Sequence, residues 1–545
     1  MTNKISYIHA MHMILLTIII ISFTMPSLNS FVLRTNICLK SLHSIRNVRS
    51  ISKSQIKMEQ NEMFVIPTQK PTKNSRSMTF NASDPLSIQI SNAYKEYNTD
   101  GIQELIAQNP LLLHNHSAYD LFEASIEASN GKASDIASMM NGLIACCVNF
   151  THPDNNQAKK ALQLLDIMKK SSSSTSSLDV CVIPDIVSYS CAYSACTNTD
   201  IDNEFLMDEM LQMSKKQAGS YRRKRINANK RNQFKSSNRS HGTKKESIYT
   251  KIQTKHPDFE ILYEDDNYIG VCKPSTMVCY HRHKTSKGKY DDISLEDLLW
   301  DYMETKTKTT TTATTTTRSS DTLSTINPDG FGIVHRLDRG TSGCILLAKT
   351  NEAHAHLLTA FFKRQVYKSY LALLPAQPQY NINNKNHPIL ENDPLGSDLI
   401  VGTTGMIDIP VHGKPALSSY TIEHIHSSPP KAISVRMETY TGRKHQVRIH
   451  CAYGLKRPLF LEPEYHSTQR SNNNNYNIKT KTNKQSINKQ NDCISSIPSA
   501  IEKVGLNVDH GHQFFLHAQS LKVPFLNIEL DAPLPQWWTQ TIDEL

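Results

Sequence analysis

The period of the hydrophobic residues changes near residue 257, and this change limits the folds that the chain can adopt. Between about 84 and 215, apolar residues recur at three- and four-residue spacing, as in "NNQAKKALQLLDIMKK" (155–170), which is the pattern of amphipathic helices. After 257, short runs rich in Ile, Val, Tyr and Leu alternate with turns. Strands and helices mix there without a regular β-α-β order, so we expect an α-helical region followed by an α+β domain.

Individual segments predict the elements of both regions. A helix is expected to begin with Asn351 as its N-cap, and another to run over "TGRKHQVRIHCAYGL" with Thr441 as N-cap and Gly454 as its stop. The remaining predicted helices cover 136–150, 155–170 and 184–196, and the predicted strands lie within 259–274, 342–350, 366–374 and 432–440.

The chain of 545 residues is longer than one domain usually is, and its hydrophobic fraction of 38% is low. Three segments rich in Asn, Ser and Thr account for much of this deficit, and their lack of apolar periodicity is typical of disordered insertions. They are 303–325, 378–400 and 466–510. Without them, a catalytic domain spanning 257–545 keeps a core of about 200 residues, a reasonable domain size.

A basic linker is predicted at 216–256, where "SYRRKRINANKRNQFK" (220–235) has no acidic residue. Such a run suits an anionic polymer such as RNA, although a solvated linker has the same composition. The net charge of the whole chain is +10, and its eleven cysteines form no C-x-x-C pair. We therefore expect reduced thiols rather than a disulfide framework or a zinc site.

The first 58 residues contain no acid and are predicted to be a targeting segment. "MILLTIIIISFTM" (13–25) has the length of a signal peptide, and the basic, Ser-rich stretch after it has the composition of a transit peptide. This order is similar to the two-part plastid address of algae with complex plastids. A mitochondrial presequence and a membrane anchor are the alternatives.

The segment with the most distinctive chemistry is "IVHRLDRGTSGCILLAKT" (333–350), which places one carboxylate, Asp338, in a turn between two apolar runs. Leu337 separates it from Arg336, and no Gly-rich phosphate loop is present, so the turn is not the H-R-D loop of a protein kinase. A glycosidase normally has two carboxylates with distinct roles, and G-T-S-G is not a nucleophile elbow. A surface salt bridge is the structural alternative for an isolated Arg-x-Asp turn.

Several motifs, in order, resemble the RluA-type pseudouridine synthases over about 258–540. They are "FEILYEDDNYIGVCKP", "GIVHRLDRGTSGCILLAKT", "YKSYLAL", "GKPALSSY", "TGRKHQVRIHCAYGL" and "FFLHAQSLKVPF". The resemblance implies an α+β catalytic domain with a mixed or antiparallel sheet. It also implies that uridines in RNA, either ribosomal or transfer RNA, are isomerised to pseudouridine without cofactor or metal, by breaking the C1′–N1 bond and rejoining the sugar to C5.

The resemblance also implies roles for individual residues. Asp338 matches the catalytic aspartate, and one carboxylate is enough because the detached uracil stays in the pocket and adds back to the sugar. Arg448 matches the arginine that pairs with the aspartate and keeps it ionised and aimed. Tyr370 matches the tyrosine that stacks on the base and is placed for proton transfer at C5. Arg336 matches the residue that enters the RNA stack when the uridine flips out.

Three further residues are predicted to contact RNA. Two of them, Arg443 and Lys444, are expected to bind phosphate. The third is His335, for which a role in shaping the turn is the alternative. One segment departs from the family: "KRPLFLEPEY" (456–465) stands where His-Pro-Ile-x-Gly-Asp is usual, which brings the geometry of that loop into question.

The helical region at 84–215 resembles the pentatricopeptide repeat, a helix pair that stacks into an RNA-binding solenoid, over little more than one repeat. A generic helical hairpin is the alternative. For the whole chain, the alternative to an enzyme is a non-catalytic RNA-binding protein built on a degenerate synthase domain. The joint presence of Asp338, Tyr370 and Arg448 favours the enzyme.

Overall fold

The computed structural model describes part of the chain. The described residues are 81, 83–172, 180–217, 258–281, 294–310, 323–378, 394–395, 399–427, 431–465 and 514–545, without the side chains of 304, 305 and 307–310. The predicted targeting segment and insertion 466–510 lie outside them, as do most of the basic linker and of the other two insertions. Residues 78–545 form one compact unit.

In the described residues before 218, all regular structure is helical. The helices are α1 Leu86–Tyr97, α2 Thr99–Gln108, α3 Leu111–Asn115, α4 Ala118–Ala128, α5 Ala133–Cys146, α6 Asn155–Ser171, α7 Ile186–Cys196 and α8 Glu204–Gln217. Local sequence fixes several of their starts, because Ser117 and Asp185 form capping boxes and Asp154 accepts from two backbone N–H groups. Their apolar faces share one core. The predicted helices near 136–150, 155–170 and 184–196 are thus present.

The described residues after 257 form a nine-stranded mixed sheet in the order β1-β2-β3-β8-β4-β7-β6-β5, with β9 paired to β8. Only β3 and β8 pair in parallel among these neighbours. The strands are β1 Glu260–Glu264, β2 Tyr268–Lys273, β3 Ser342–Ala348, β4 Tyr367–Pro375, β5 Thr404–Ile407, β6 Ser418–His426, β7 Ala432–Thr439, β8 Leu516–Val523 and β9 Ile528–Asp531. The expected α+β class with a mixed sheet is confirmed, and every predicted strand is present.

Four α-helices accompany the sheet in the described residues: α9 Leu295–Thr310, α10 Asn351–Phe362, α11 Gln446–Ile449 and α12 Gln536–Asp543. The helix α9 continues to Thr310, past the predicted start of an insertion at 303, and Met303 is buried. None of the described helices is long and apolar enough to cross a membrane.

Two predicted N-caps are wrong. Thr350, not Asn351, caps α10, since its hydroxyl accepts from the N–H of Ala353 while the Asn351 amide oxygen binds Ser324 and Thr325. The helix expected from Thr441 begins only at Gln446 and becomes a π-helix over His450–Gly454. Its start is delayed because Thr441 donates its hydroxyl to the side chain of Gln446 and because His445 is left-handed. The predicted end at Gly454 is confirmed.

The helical region packs directly on α10 of the region that contains the sheet. The hydroxyls of Ser194 and Thr359 lie 3.0 Å apart, and that of Thr197 lies 2.9 Å from His356 Nε2. Lys363 Nζ donates to backbone carbonyls at the end of α5, at 2.9 Å in the case of Ala145. These contacts place the helices beside the segment that leads into β4.

Candidate active site

Asp338 lies in a turn that is anchored to the sheet on both sides. Before it, Ile333 forms a backbone bridge to Leu347; after it, the N–H of Thr341 donates to the Asp338 carbonyl at 3.1 Å. Gly343 then has φ +111°, and a Cβ built there would lie 2.2 Å from the carbonyl oxygen of Ala518. Only glycine fits this close approach of β3 to β8, so the G-T-S-G string of the motif sets the position of the turn.

Arg448, on the short helix α11, faces the carboxylate of Asp338. Its Nη1 lies 3.6 Å from Asp338 Oδ2, the side chain of Arg448 is 3% exposed and that of Asp338 is 21% exposed. The carboxylate can therefore meet a substrate from one side while a buried cation neighbours it on the other. The structure thus brings together the two residues that the sequence predicts to pair.

Other residues hold Arg448 in place. Its Nε and Nη2 donate to the two carboxylate oxygens of Glu462 at 3.0 and 2.6 Å. The guanidinium carbon also lies 4.6 Å from the ring centre of Phe514 and 5.0 Å from that of Tyr465. Burial alone would lower the pKa of Arg448, but the hydrogen bonds and charge of Glu462, with Asp338, raise it above the usual arginine value. Arg448 is therefore a fixed positive charge.

Glu462 belongs to the segment in which the family's Gly-Asp is replaced. If Pro458 is matched to the proline of that motif, Leu461 and Glu462 stand at the Gly and Asp positions. Leu461 has φ +61°, the left-handed conformation that glycine adopts freely and leucine rarely does. The loop thus keeps a glycine-like backbone and an acidic side chain without either original residue, which answers the question that this departure raised.

His445 is a second group beside the carboxylate of Asp338. Its Nε2 lies 3.5 Å from Asp338 Oδ1, and its Nδ1 lies 2.5 Å from the hydroxyl of Tyr465. Burial lowers the pKa of His445 to about 4, although Asp338 acts in the opposite direction, so the ring is neutral near pH 7. Burial and Glu464 raise the pKa of Tyr465. A protonated Tyr465 donates to Nδ1, which leaves the single ring proton on Nε2, directed at Asp338.

Tyr370 lies on β4, paired with Met437 of β7 at a point where the register between β4 and β8 shifts. Such irregularities are frequent near active sites. Its ring packs against two buried apolar clusters, one that includes Leu337 and Ile345 and one that includes Ala372 and Met437. Burial and the Asp338 carboxylate raise the pKa of Tyr370, so its hydroxyl keeps its proton while Asp338 is charged.

The candidate RNA-binding residues of the turn differ in exposure. Arg336 is exposed, with Nη1 3.4 Å from the hydroxyl of Tyr280 and its guanidinium carbon 5.8 Å from that ring centre. His335 is half-buried and stacks on Phe361, while its Nε2 accepts from the N–H of Leu346 at 3.0 Å. These contacts favour a role for His335 in shaping the turn, and contact with RNA stays a prediction for it.

The other two candidates precede α11. Lys444 is exposed, whereas Arg443 is half-buried and donates from Nε to the carbonyl of Pro415 at 2.9 Å. Burial and the charge of Arg364 lower the pKa of Arg443. Contact of either residue with RNA stays a prediction. Among the described residues, no group of three or more His, Cys, Asp or Glu side chains is arranged to hold a metal ion.

Sequence reasoning assigned no role to four residues of this site: His445, Glu462, Tyr465 and Phe514. A signal existed for Glu462, because "LEPEY" places two acids just after the helix that carries Arg448. Phe514 is the first residue of the motif "FFLHAQSLKVPF", but its contact with Arg448 depends on the return of a distant segment.

Comparison with known proteins is consistent with this geometry. Residues 267–453 match the family model described as RNA pseudouridylate synthase. RNA pseudouridine synthase 2, chloroplastic, of Oryza sativa subsp. japonica is 27% identical over 226 residues, which cover 38% of this chain and 50% of that protein. Ribosomal large subunit pseudouridine synthase C of Escherichia coli (strain K12) is 31% identical over 207 residues, covering 38% of this chain and 52% of that protein.

A third relative, ribosomal large subunit pseudouridine synthase C of Pasteurella multocida (strain Pm70), is 33% identical over 147 residues, covering 27% of this chain and 42% of that protein. The chain thus spans about half the length of the curated relatives that it matches. The matched region contains Asp338, Tyr370 and Arg448, and it carries the motifs in the family's order. By these motifs and matches, residues 267–453 of this chain are similar to the RNA pseudouridylate synthase family, and their motifs resemble those of its RluA type.

Proposed function

We propose that this protein is an RNA pseudouridine synthase that isomerises specific uridines of ribosomal or transfer RNA. The observation that carries the proposal is the contact between Asp338 and Arg448 at 3.6 Å in a partly open turn, with Tyr370 close enough for its pKa to respond to the Asp338 charge. A protein that only bound RNA would have no need for a carboxylate fixed between a buried arginine and a histidine. The relatives whose names specify the ribosomal large subunit support ribosomal RNA as the substrate class.

In the proposed reaction, Asp338 loosens the C1′–N1 bond either by attacking C1′ or by acting as a base at the sugar. The uracil leaves with the electron pair of that bond, turns within the pocket, and forms a bond from C5 to C1′. In the attack route the C1′–Asp338 ester bond breaks in this step and its electron pair returns to the carboxylate; in the base route Asp338 returns the sugar proton. The proton on C5 is then lost to restore the aromatic ring. Any step that neutralises the carboxylate of Asp338 removes one cause of the raised Tyr370 pKa. The pKa of Tyr370 is then lower, so its hydroxyl exchanges a proton more readily at that stage.

The target atoms of a stacked uridine are shielded by its neighbours, so the nucleotide must flip out of the helix. Arg336 is suited to fill the vacated space, since it is exposed and its present contacts with Tyr280 are weak. His335, Arg443 and Lys444 are the remaining proposed RNA contacts.

We further propose a division of the chain into a targeting segment at 1–58, a pentatricopeptide-repeat-like region at 84–215, a basic linker at 216–256 and the catalytic domain at 257–545. A plastid location is supported by the composition of the first 58 residues and by the chloroplastic relative from rice. A mitochondrial location remains the alternative.

The test is to map pseudouridines in organellar and cytosolic RNA from cells that carry either the normal gene or an Asp338→Ala version. We expect one or a few sites to disappear in the mutant, which would identify the RNA, the uridine and the compartment together. If every site persists while the mutant protein is present at normal abundance and no related enzyme modifies the same sites, the non-catalytic RNA-binding alternative gains support.

A further inference from the structure

Four cationic side chains lie around the exposed turn before α11: Arg364, Lys368, Arg443 and Lys444. Gly442, directly before Arg443 in the chain, lies close to two of them. A Cβ built on Gly442 would lie 3.6 Å from Lys368 Nζ and 4.0 Å from Arg364 Nη1. The charge of Arg364 also lowers the pKa of both Arg443 and Lys368, after the larger effect of burial. These cations are therefore close enough to repel one another.

Arg364 is held in this place by an unusual backbone. It follows α10 in a left-handed conformation, with φ +58°. The N–H of Gln365 donates to the carbonyl of Ala360 at 2.9 Å and that of Arg364 to Phe361 at 3.2 Å, which is the Schellman pattern of a helix end. Glycine is the usual residue at this position. An arginine here costs about 1 to 2 kcal/mol in backbone strain, so its side chain is expected to have a use.

The guanidinium of Arg364 is only partly satisfied. Its Nε and Nη2 donate to the two carboxylate oxygens of Asp100, on α2 of the helical region, at 3.1 and 3.4 Å. Its Nη1 makes a long contact of 3.5 Å with the Phe361 carbonyl and faces Gly442. Asp100 thus orients the group and leaves one edge available for an anion.

Lys368 lies two residues before Tyr370 on β4, so the two side chains project from the same face, about 7 Å apart along the strand. Its Nζ lies 5.9 Å from the ring centre of Phe361, and within the described part of the chain no acceptor is in hydrogen-bond distance of it. Burial, with the charge of Arg364, lowers the pKa of Lys368 to about 8. A bound anion would stabilise the charged form of Lys368 and so oppose this lowering of its pKa.

We propose that Arg364, Lys368 and Arg443 form a subsite for a backbone phosphate of RNA, next to the uridine held between Tyr370 and Asp338. The inference rests on the proposed function and gives the helical region a specific part in it, because Asp100 orients one wall of the subsite. The negative charge of a phosphate would offset the mutual repulsion of the three cations. Its oxygens can accept hydrogen bonds from the planar guanidinium of Arg364 and from the ammonium of Lys368.

The test measures binding of a fluorescein-labelled oligouridine by fluorescence anisotropy over a range of KCl concentrations, with the full chain carrying Asp338→Asn so that no turnover occurs. Each phosphate contact with a single strand contributes about 0.7 to the slope of log affinity against log salt. We expect Lys368→Met to weaken binding and to reduce the slope by about 0.7, and Lys368→Arg to retain it. The matched control is Lys431→Met, an exposed lysine next to the far end of β4.

The inference would be overturned if Lys368→Met kept the parental slope, if Lys431→Met lowered it equally, or if the parent bound the oligouridine without salt dependence. If Lys368→Met does not show a cooperative thermal transition, Arg364→Gln serves as the second variant with the same expected decrease. Tritium release from C5-labelled uridine separates the two proposals. If the normal protein is active but Lys368→Met leaves the salt slope unchanged, only the subsite is contradicted. If Lys368→Met reduces the slope in the Asp338→Asn background but the normal protein is inactive, only the catalytic function is contradicted.

Discussion

Glu462 accepts hydrogen bonds from two of the three guanidinium nitrogens of Arg448, and the third nitrogen faces Asp338. Nε and Nη2 of the arginine donate to the Glu462 oxygens at 3.0 and 2.6 Å, while Nη1 lies 3.6 Å from Asp338 Oδ2. The side chain of Glu462 is fully buried, at 0% exposure. The arginine is therefore fixed in its orientation by a residue that has no access to substrate, which is the preorganisation expected of a catalytic site.

The first prediction concerns Glu462→Gln. Removing the charge leaves Arg448 buried with a weaker partner, and we expect the free energy of unfolding in urea to fall by about 3 kcal/mol, with slower tritium release. Glu464→Gln is the control, because Glu464 is 50% exposed and 3.7 Å from Arg448, and it should change stability by about 0.5 kcal/mol or less. Equal effects of the two substitutions would show that the bidentate pair does not hold the site.

The second prediction concerns the contact of His445 with Tyr465 and Asp338. We expect His445→Phe to lower kcat about tenfold, corresponding to about 1.4 kcal/mol, because the donor at Asp338 Oδ1 is lost. Tyr465→Phe should lower kcat in the same direction by a smaller factor, because Nδ1 then loses the partner that selects the tautomer. The oligouridine affinity of both variants should match that of the parent. A loss confined to affinity would rule out a role at the carboxylate.

The third prediction uses the left-handed backbone at Leu461. Glycine normally destabilises a site by about 0.5 to 1 kcal/mol relative to alanine. At φ +61° the order should reverse, so Leu461→Gly should unfold at a higher urea concentration than Leu461→Ala by about 1 kcal/mol. Both variants lose the same apolar contacts of the leucine, so the comparison isolates the backbone. An alanine variant that is as stable as the glycine variant would show that the loop relaxes.

The fourth prediction is a loss of stability in mild acid. Burial lowers the pKa of His335 and His354 to about 3, and that of His356 and His517 to about 4, from 6.5. Between pH 6.5 and 4 the unfolded chain therefore binds more protons than the folded chain, so stability rises with pH in this window and falls on acidification.

We expect the free energy of unfolding to be lower at pH 5 than at pH 7, and to depend less on pH in a His354→Phe variant. His354 is suitable because it is 1% exposed and its Nδ1 has no hydrogen-bond partner within the described residues. Stability that stays constant or increases from pH 7 to pH 5 would contradict this assignment of neutral histidines.

Much of the fold follows from short-range pattern. The alternation of apolar residues predicts β7, and the strand-turn-strand pattern around Asp265 predicts β1 and β2. The delayed start of α11 was not predictable, because it depends on the left-handed backbone at His445. The continuation of α9 into a Thr-rich segment has a tertiary cause as well, since Met303 is buried and Lys306 pairs with Glu264 of β1 at 2.8 Å.

The residues of the site also fall into those that a local motif predicts and those that depend on tertiary contacts. Asp338, Tyr370 and Arg448 are recognisable because each stands in a motif with its own residue pattern. Glu462 and Phe514 act on Arg448 only after separate segments return to the same place, and no local pattern encodes that return. His445 lies within a motif, but its function depends on which ring nitrogen faces Tyr465, and this is a property of the folded chain.

The most direct test of the central claim is tritium release from RNA labelled at C5 of uridine. The RNA is isolated from cells carrying Asp338→Ala, so that the target uridine is still unmodified, and it is incubated with purified normal protein or with Asp338→Asn. We expect release by the normal protein and none by Asp338→Asn, with equal RNA affinity for the two. Equal release by both proteins would contradict the assignment of Asp338 as the catalytic carboxylate.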